Sequence, residues 1–220
     1  MAQNRPYTIA EVQQALNLCE FDGWSAQRKM TPAARESQRQ PDKPGSPRQG
    51  GVLVVLYAHH GELQLVLTRR RDDLNSHAGQ MSIPGGQRAG QETLVMTALR
   101  ETEEEIGVPA HSLHVIGQLT PLYIPPSDFE VHPFVARTSN GSQPHFTPNP
   151  SEVAEIVEVP LQRLLDPASR DEQLWAIREH NISVPYYTVG HHKVWGATAM
   201  MISELVERLY AVRSPALSNR

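Results

Sequence analysis

The chain has 220 residues, with 20 Lys and Arg against 24 Asp and Glu, a formal net charge of −4 and a single cysteine. That length suits one domain with an extension, and the charge balance excludes the broad basic surface of a nucleic-acid binder. Lone Cys19 excludes an intrachain disulfide and a Cys-rich zinc site; with no apolar run of membrane-span length and no signal-peptide core, a soluble cytoplasmic protein without a membrane partner is expected.

In chain order, Ile9 to Glu20 reads as a short helix carrying Cys19, a core or bystander thiol. Thr31 to Gln49 is polar and Pro-rich, an extended arm with few residues able to pack. Residues 1–49 are therefore set apart from a domain over 50–212 and a tail over 213–220. From Gly51 the texture changes: GVLVVLYA is a strand, His59-His60-Gly61-Glu62 a turn that exposes its histidines, and LQLVLT a second strand, together a β-hairpin. Arg69, Arg70 and Arg71 follow directly, either as a solvated strand end or as a guanidinium cluster that grips phosphates. Pro84-Gly85-Gly86 permits positive φ and close backbone approach to a ligand.

Thr93 as N-cap and Gly107 just past the last turn bound a helix over 94–106, with Val95, Ala98, Leu99, Thr102 and Ile106 as its core stripe. Into its last turns fall Glu101, Glu103, Glu104 and Glu105, against the macrodipole and offset nearby only by Arg100. Glu101, Glu104 and Glu105 lie on one flank, beside the apolar stripe. Two readings stand: a solvated acidic helix end, or a carboxylate cage for a hard divalent cation such as Mg²⁺ or Mn²⁺, which implies a phosphate ester or anhydride as substrate.

Beyond the helix, His114 to Leu119 and Val131 to Ala136 read as strands flanking a stiff Pro-rich loop, and Val153 to Val159 as a half-buried strand. Leu161 to Leu165 is a short helix. Residues 166–190 read as mostly irregular, with Pro185, Tyr186 and Tyr187 as lining for an adenine or pantetheine arm, and Met200 to Leu209 closes the domain as an amphipathic helix. These elements give an α/β (α+β) domain with a mixed sheet between helices.

The stretch Gly86 to Val108 resembles the Nudix box, G-x5-E-x7-R-E-U-x-E-E-x-G-U with U apolar. Gly86, Glu92, Arg100, Glu101, Glu104, Glu105, Gly107 and Val108 fall on its fixed positions, and Thr102 replaces an apolar residue. Over about residues 50 to 210 the resemblance implies the Nudix fold and a divalent-metal enzyme, with Mg²⁺ or Mn²⁺, that hydrolyses a diphosphate linkage in a small nucleotide substrate. It implies Glu101, Glu104 and Glu105 as metal ligands, Arg100 as the residue that orients Glu92 or Glu101, and a further carboxylate after the box, here Glu152, as extra ligand or general base. Among the box glutamates the base is left open.

Upstream, the chain resembles the signature of the coenzyme A diphosphatase group, L-L-T-x-R-[SA]-x3-R-x3-G-x3-F-P-G-G, at Leu67, Thr68, Arg70, Gly79, Pro84, Gly85 and Gly86. Arg71, Asn75 and Ile83 depart from it, and Val66 is a mild change; Arg69 or Arg71 is a candidate to replace the arginine missing at Asn75. Trp195-Gly-Ala-Thr-Ala199 resembles the C-terminal part of the same group. Coenzyme A or an acyl derivative is thus the expected substrate, with Arg69, Arg70, Gly85 and Gly86 as its contacts. ADP-ribose or another nucleoside diphosphate derivative is the alternative, and a non-catalytic nucleotide-binding module the reading from another class. A homodimer is compatible with the sequence.

Overall fold

A computed structural model of the chain describes residues 5–33, 45–73, 77–177 and 180–214. Most of the expected Pro-rich arm, Asn75 and nearly all of the expected tail lie outside the described residues.

The domain is organised around β1 (Arg48–His59), which forms a hairpin with β2 (Glu62–Arg70). His60 at φ +49° and Gly61 at φ +82° supply the two left-handed residues that a tight two-residue turn demands. The main sheet follows the order β3-β2-β1-β7-β5, with β3 (Met81–Ser82), β5 (Leu113–Gln118) and β7 (Phe129–Ser142). Off this path β4 (Gly85–Gln87) pairs with β1, β6 (Leu122–Ile124) with β7, and β8 (Val153–Pro160) with β2. The β1–β7 pair is parallel and the others antiparallel, so the sheet is mixed.

Helices cover both faces. Leu53, Val55 and Tyr57 pack with Ala98 and Ile106 of α3 (Leu94–Ile106), while Val54 and Leu56 pack with Met200, Leu205 and Leu209 of α5 (Gly196–Arg213). Burial on both sides explains why β1 reads as a continuous apolar run rather than an alternating one. The expected mixed sheet between helices is what forms.

Helix α5 is longer than its expected ten-residue span and is enclosed almost all round, because α1 (Ile9–Leu16), α2 (Gly23–Arg28) and α4 (Leu161–Leu165) pack on it. Its N-terminal neighbour α1 starts at a capping box between Thr8 and Glu11 and places Val12 and Ala15 in the α5 core. It ends earlier than its sequence suggested, leaving Cys19 exposed. Residues expected to be irregular instead supply a second sheet, β11-β10-β9, from β9 (Arg170–Ile177), β10 (His180–Val189) and β11 (His192–Trp195). Local patterning is weak there because β9 is rich in charge and is ordered by pairing with β10. Tyr187 is fully buried on β10 and Tyr186 nearly so, which removes the aromatic lining expected at these positions. No helix among the described residues is long and apolar enough to cross a membrane.

Candidate active site

The boundaries of α3 follow from its caps. Thr93 is extended and its hydroxyl accepts from the Met96 N–H at 3.4 Å, while Gly107 takes φ +72°. Thr102, the polar departure inside the box, is fully buried and donates to the Ala98 carbonyl at 2.7 Å, so its hydroxyl is satisfied within the helix. Glu103 points away from the other carboxylates and accepts from the Ala110 N–H at 3.0 Å.

Close approach of β4 to α3 builds the rest. A Cβ on Gly51 would overlap the Leu94 carbonyl, and one on Gly86 would overlap the Glu101 carboxylate. Gly85, at φ +152°, turns its N–H toward Glu105 Oε2 at 3.4 Å. The Pro-Gly-Gly turn is therefore a backbone surface laid against the helix carboxylates. Replacing Gly86 by alanine is expected to displace Glu101 without unfolding the sheet. The expected readout is a fall in kcat of about 10²-fold with little change in thermal midpoint, since ångström misplacement at a reacting centre has that scale.

Arg100 organises one side of the cluster. Its Nε and Nη2 donate to Glu92 at 3.2 and 2.8 Å, and its Nη1 donates to Glu101 at 2.8 Å and to Glu104 at 3.0 Å. Glu92 also accepts from the Ala89 N–H and the Thr97 hydroxyl, and with Arg100 first among the causes its carboxyl is held down at about 2. Apart from the Gln87 carbonyl of β4, which accepts from Nη2 at 3.3 Å, the partners of Arg100 are carboxylates, as for a residue that positions acids.

Glu105 occupies a different environment, with a side chain only 4% exposed. Burial is the main cause that pushes its carboxyl up to about 8; the Gly85 N–H and Arg70 oppose the shift, and Glu152 and Glu101 add to it. Glu101 is raised too, by burial first, with Arg100 opposing and Glu104 and Glu152 adding.

Glu152 reaches this cluster through a loop stitched to the end of α3. Thr147 N–H donates to the Ile106 carbonyl and Asn149 N–H to the Glu105 carbonyl, both at 2.9 Å, which satisfies carbonyls that the helix itself leaves open. Arg71 holds the other side of the loop: its N–H donates to the Glu152 carbonyl at 3.1 Å and its Nη1 to the Pro150 carbonyl at 2.5 Å. With Asp73 also bound to it, Arg71 is a brace for the Glu152 loop. Sequence reading missed that role, whose partners lie 79 residues away in the chain.

Strand alternation separates the neighbouring arginines. Val66 packs on the α3 side and Leu65 and Leu67 on the α5 side, so Arg70 faces the cluster and Arg69 the opposite face. Arg70 Nη1 lies 4.0 Å from Glu105, and its Nε is buried with no partner. Arg69 is engaged by Asp72 at 2.5 and 2.6 Å. The structure thus gathers Glu92, Arg100, Glu101, Glu104, Glu105, Glu152, Arg70, Gly85 and Gly86, and leaves Arg69 outside.

A divalent cation suits this donor set. Glu105 is desolvated beside Glu101 and Glu152, and the guanidinium nearest to it stands 4.0 Å away, a deficit of positive charge that burial makes costly. Among the described residues, no three carboxylates of the cluster bring oxygens within 4.8 Å of one another. Glu104, with its side chain 55% exposed and paired with Arg100 at 3.0 Å, is the outermost of Glu101, Glu104 and Glu105.

Together these features are a cluster of carboxylates and arginines at the end of a helix laid on a mixed sheet. The NUDIX domain family matches residues 47–179. A protein of Photorhabdus laumondii named uncharacterized Nudix hydrolase NudL is 38% identical over 146 residues, covering 66% of this chain and 76% of that protein. Its namesake in Yersinia enterocolitica is 37% identical over 180 residues, covering 78% and 89%. Among solved structures, RenU, a Nudix hydrolase from M. smegmatis, superposes with a TM-score of 0.51 at 18% identity over 78% of this chain and 88% of that one, a likeness of fold. The chain belongs to the Nudix family. It is a hydrolase acting on diphosphate bonds, in a family that works on small nucleotide substrates and generally uses divalent metals.

Proposed function

We propose that the chain hydrolyses the diphosphate of coenzyme A or an acyl-coenzyme A, giving 4′-phosphopantetheine and adenosine 3′,5′-bisphosphate, in the cytoplasm, with residues 50–212 as the catalytic domain. The observation that carries the diphosphatase reading is the desolvated Glu105, set among Glu101, Glu152 and the Arg70 guanidinium, whose Nη1 stands 4.0 Å away. The substrate rests on the two stretches that resemble the coenzyme A group. They touch: Thr198, from the Trp-Gly-Ala-Thr-Ala segment, donates to the Met81 carbonyl at 3.1 Å, just ahead of Pro-Gly-Gly. Ile83, one of the departures, is 2% exposed in the α5 core, so that exchange is a matter of packing rather than of a substrate pocket.

Glu101, Glu104 and Glu105 would hold Mg²⁺ or Mn²⁺, which when bound neutralises diphosphate charge and acidifies water. Arg70, whose side chain is partly exposed beside Glu105, binds a phosphate oxygen through its guanidinium end. Glu152, carried by the braced loop, is the candidate base: it takes a proton as water attacks one phosphorus, and the bridging oxygen leaves with the other phosphoryl group. Arg100, itself held by Glu92, fixes the orientation of Glu101 directly and does not meet the substrate. Arg70→Ala is expected to raise KM about 10- to 100-fold, the scale of a charge-assisted hydrogen bond, with a smaller effect on kcat.

The deciding experiment incubates the full chain and Mg²⁺ or Mn²⁺ with coenzyme A, ADP-ribose, NADH and diadenosine polyphosphates, with products separated by chromatography. Release of 4′-phosphopantetheine at the highest kcat/KM supports the proposal. Preference for ADP-ribose would replace the substrate, and no cleavage of any compound would overturn the catalytic reading in favour of a binding module.

A further inference from the structure

A second group of metal-type ligands lies on the other side of the sheet from the box helix. Glu155 stands on β8 opposite Arg69 of β2. It shares its side of the strand with Val157 and Val159, which pack toward α5, whereas Ile156 packs toward α3. The β10–β11 hairpin closes at the Val189–His192 pair, with Gly190 at φ +58° and His191 in its turn. This turn meets β8 so that Glu155, His191 and His192 each bring one ligand atom within 4.8 Å of the others.

Successive strand residues point to opposite faces, so neighbouring histidines in a strand cannot share a ligand. Here the turn rotates His191, and the two ring centroids come to 3.9 Å. His192 has a side chain only 11% exposed, with Nε2 3.1 Å from Glu155 Oε2. That nitrogen is buried and makes no hydrogen bond of proper geometry. A buried ring nitrogen without a hydrogen-bond partner, a second imidazole and a carboxylate are an unfinished coordination shell.

We propose that Glu155, His191 and His192 form a binding site for a borderline transition ion of the Zn²⁺ type, distinct from the carboxylate cluster at α3. Two imidazoles and one carboxylate suit Zn²⁺ with a fourth position left to water, whereas Mg²⁺ takes oxygen ligands and leaves imidazole alone. The bound ion joins the β10–β11 hairpin of the small sheet to β8 of the main sheet. Its role is that of a clip between the sheets, and its effect is read first in stability.

The test uses the metal-stripped full chain, with Zn²⁺ as probe in equilibrium dialysis and thermal unfolding under excess Mg²⁺, and Co²⁺ as a spectroscopic substitute. One equivalent of Zn²⁺ is expected to bind and raise the thermal midpoint, in the wild type and equally in Glu105→Gln, and Co²⁺ to give the visible bands of four-coordinate N/O ligation. His192→Ala and Glu155→Ala are each expected to weaken Zn²⁺ binding at least about tenfold. His191→Ala, at an exposed turn position, supplies the same test should His192→Ala fail to fold. Zn²⁺ binding that is absent from the wild type, unchanged by all three substitutions or lost in Glu105→Gln overturns the proposal; the last two outcomes would place the ion elsewhere and leave Glu155 and His192 as an ion pair.

Discussion

Glu105→Gln is expected to abolish diphosphate hydrolysis, lowering kcat by about 10³-fold or more, while making the metal-free protein more stable at pH 8. The two effects have one cause. Glu105 is buried, and its nearest cation stands 4.0 Å away, so its negative charge is poorly compensated by the protein alone. Glutamine keeps the volume and the contact with the Gly85 N–H but removes the charge that a divalent ion would neutralise. Loss of one element of preorganised charge stabilisation costs turnover on that scale.

The sign of the stability effect follows from linkage. Burial raises the Glu105 carboxyl from an ordinary 4.5 to about 8, so across that window the native state holds a proton that the unfolded state releases. Stability of the metal-free protein therefore falls as pH rises from about 4.5 through 8, by an amount on the order of a few kcal/mol. The variant removes this slope. Mg²⁺ should restore the loss in the wild type at pH 8, since it binds the charged form, and should do little for Glu105→Gln. Thermal unfolding at pH 5, 7 and 8, with and without Mg²⁺, checks both halves; turnover within tenfold of wild type would remove Glu105 from the mechanism.

The helix that carries these carboxylates was legible from local chemistry: Thr93 and Gly107 bound it where a cap and a left-handed residue must fall. The carboxylate types and their common flank were legible too. What one segment cannot reveal is burial. Glu101, Glu104 and Glu105 look equivalent along the sequence, yet their side chains are 17%, 55% and 4% exposed, because β4, β2 and the loop before β8 close over the end of the helix. The three consecutive arginines looked equivalent as well. Strand parity and long-range loop contacts give Arg70 to the cluster, Arg69 to Asp72 and Arg71 to the Glu152 loop. The sheet after residue 169 stayed hidden for a related reason: β9 opens on three consecutive charged residues, Arg170, Asp171 and Glu172, and its order comes from its partner strand. Glu155 precedes the adjacent His191 and His192 by 36 and 37 positions, and their juxtaposition between strand and turn follows from the packing of two sheets.

Arg208→Met is expected to destabilise the protein by about 3–5 kcal/mol, the scale of breaking a buried ion pair, with a drop in thermal midpoint of roughly 10 °C. Glu204, fully buried on α5, accepts from Arg208 Nε at 2.9 Å, Gln27 Nε2 at 2.8 Å, the Thr120 N–H at 3.0 Å and the Thr120 hydroxyl at 2.9 Å. Arg208 Nη1 also donates to the Ala15 carbonyl at 3.3 Å, so one pair ties α5 to the end of α1, to α2 and to the segment after β5. A Cβ on Gly23 would overlap both Thr120 and Glu204, which shows how closely α2 is drawn onto this pair. Methionine keeps the packing volume of the arginine stem but leaves the Glu204 carboxylate buried without its cation, and that penalty exceeds the value of the pair itself. The double variant Glu204→Gln with Arg208→Met removes both charges and keeps an acceptor for Gln27 and Thr120. It is therefore expected to recover most of the loss, and equal midpoints for the single and double variants would show that packing of the Arg208 stem, rather than the stranded charge, holds the N-terminal helices on α5.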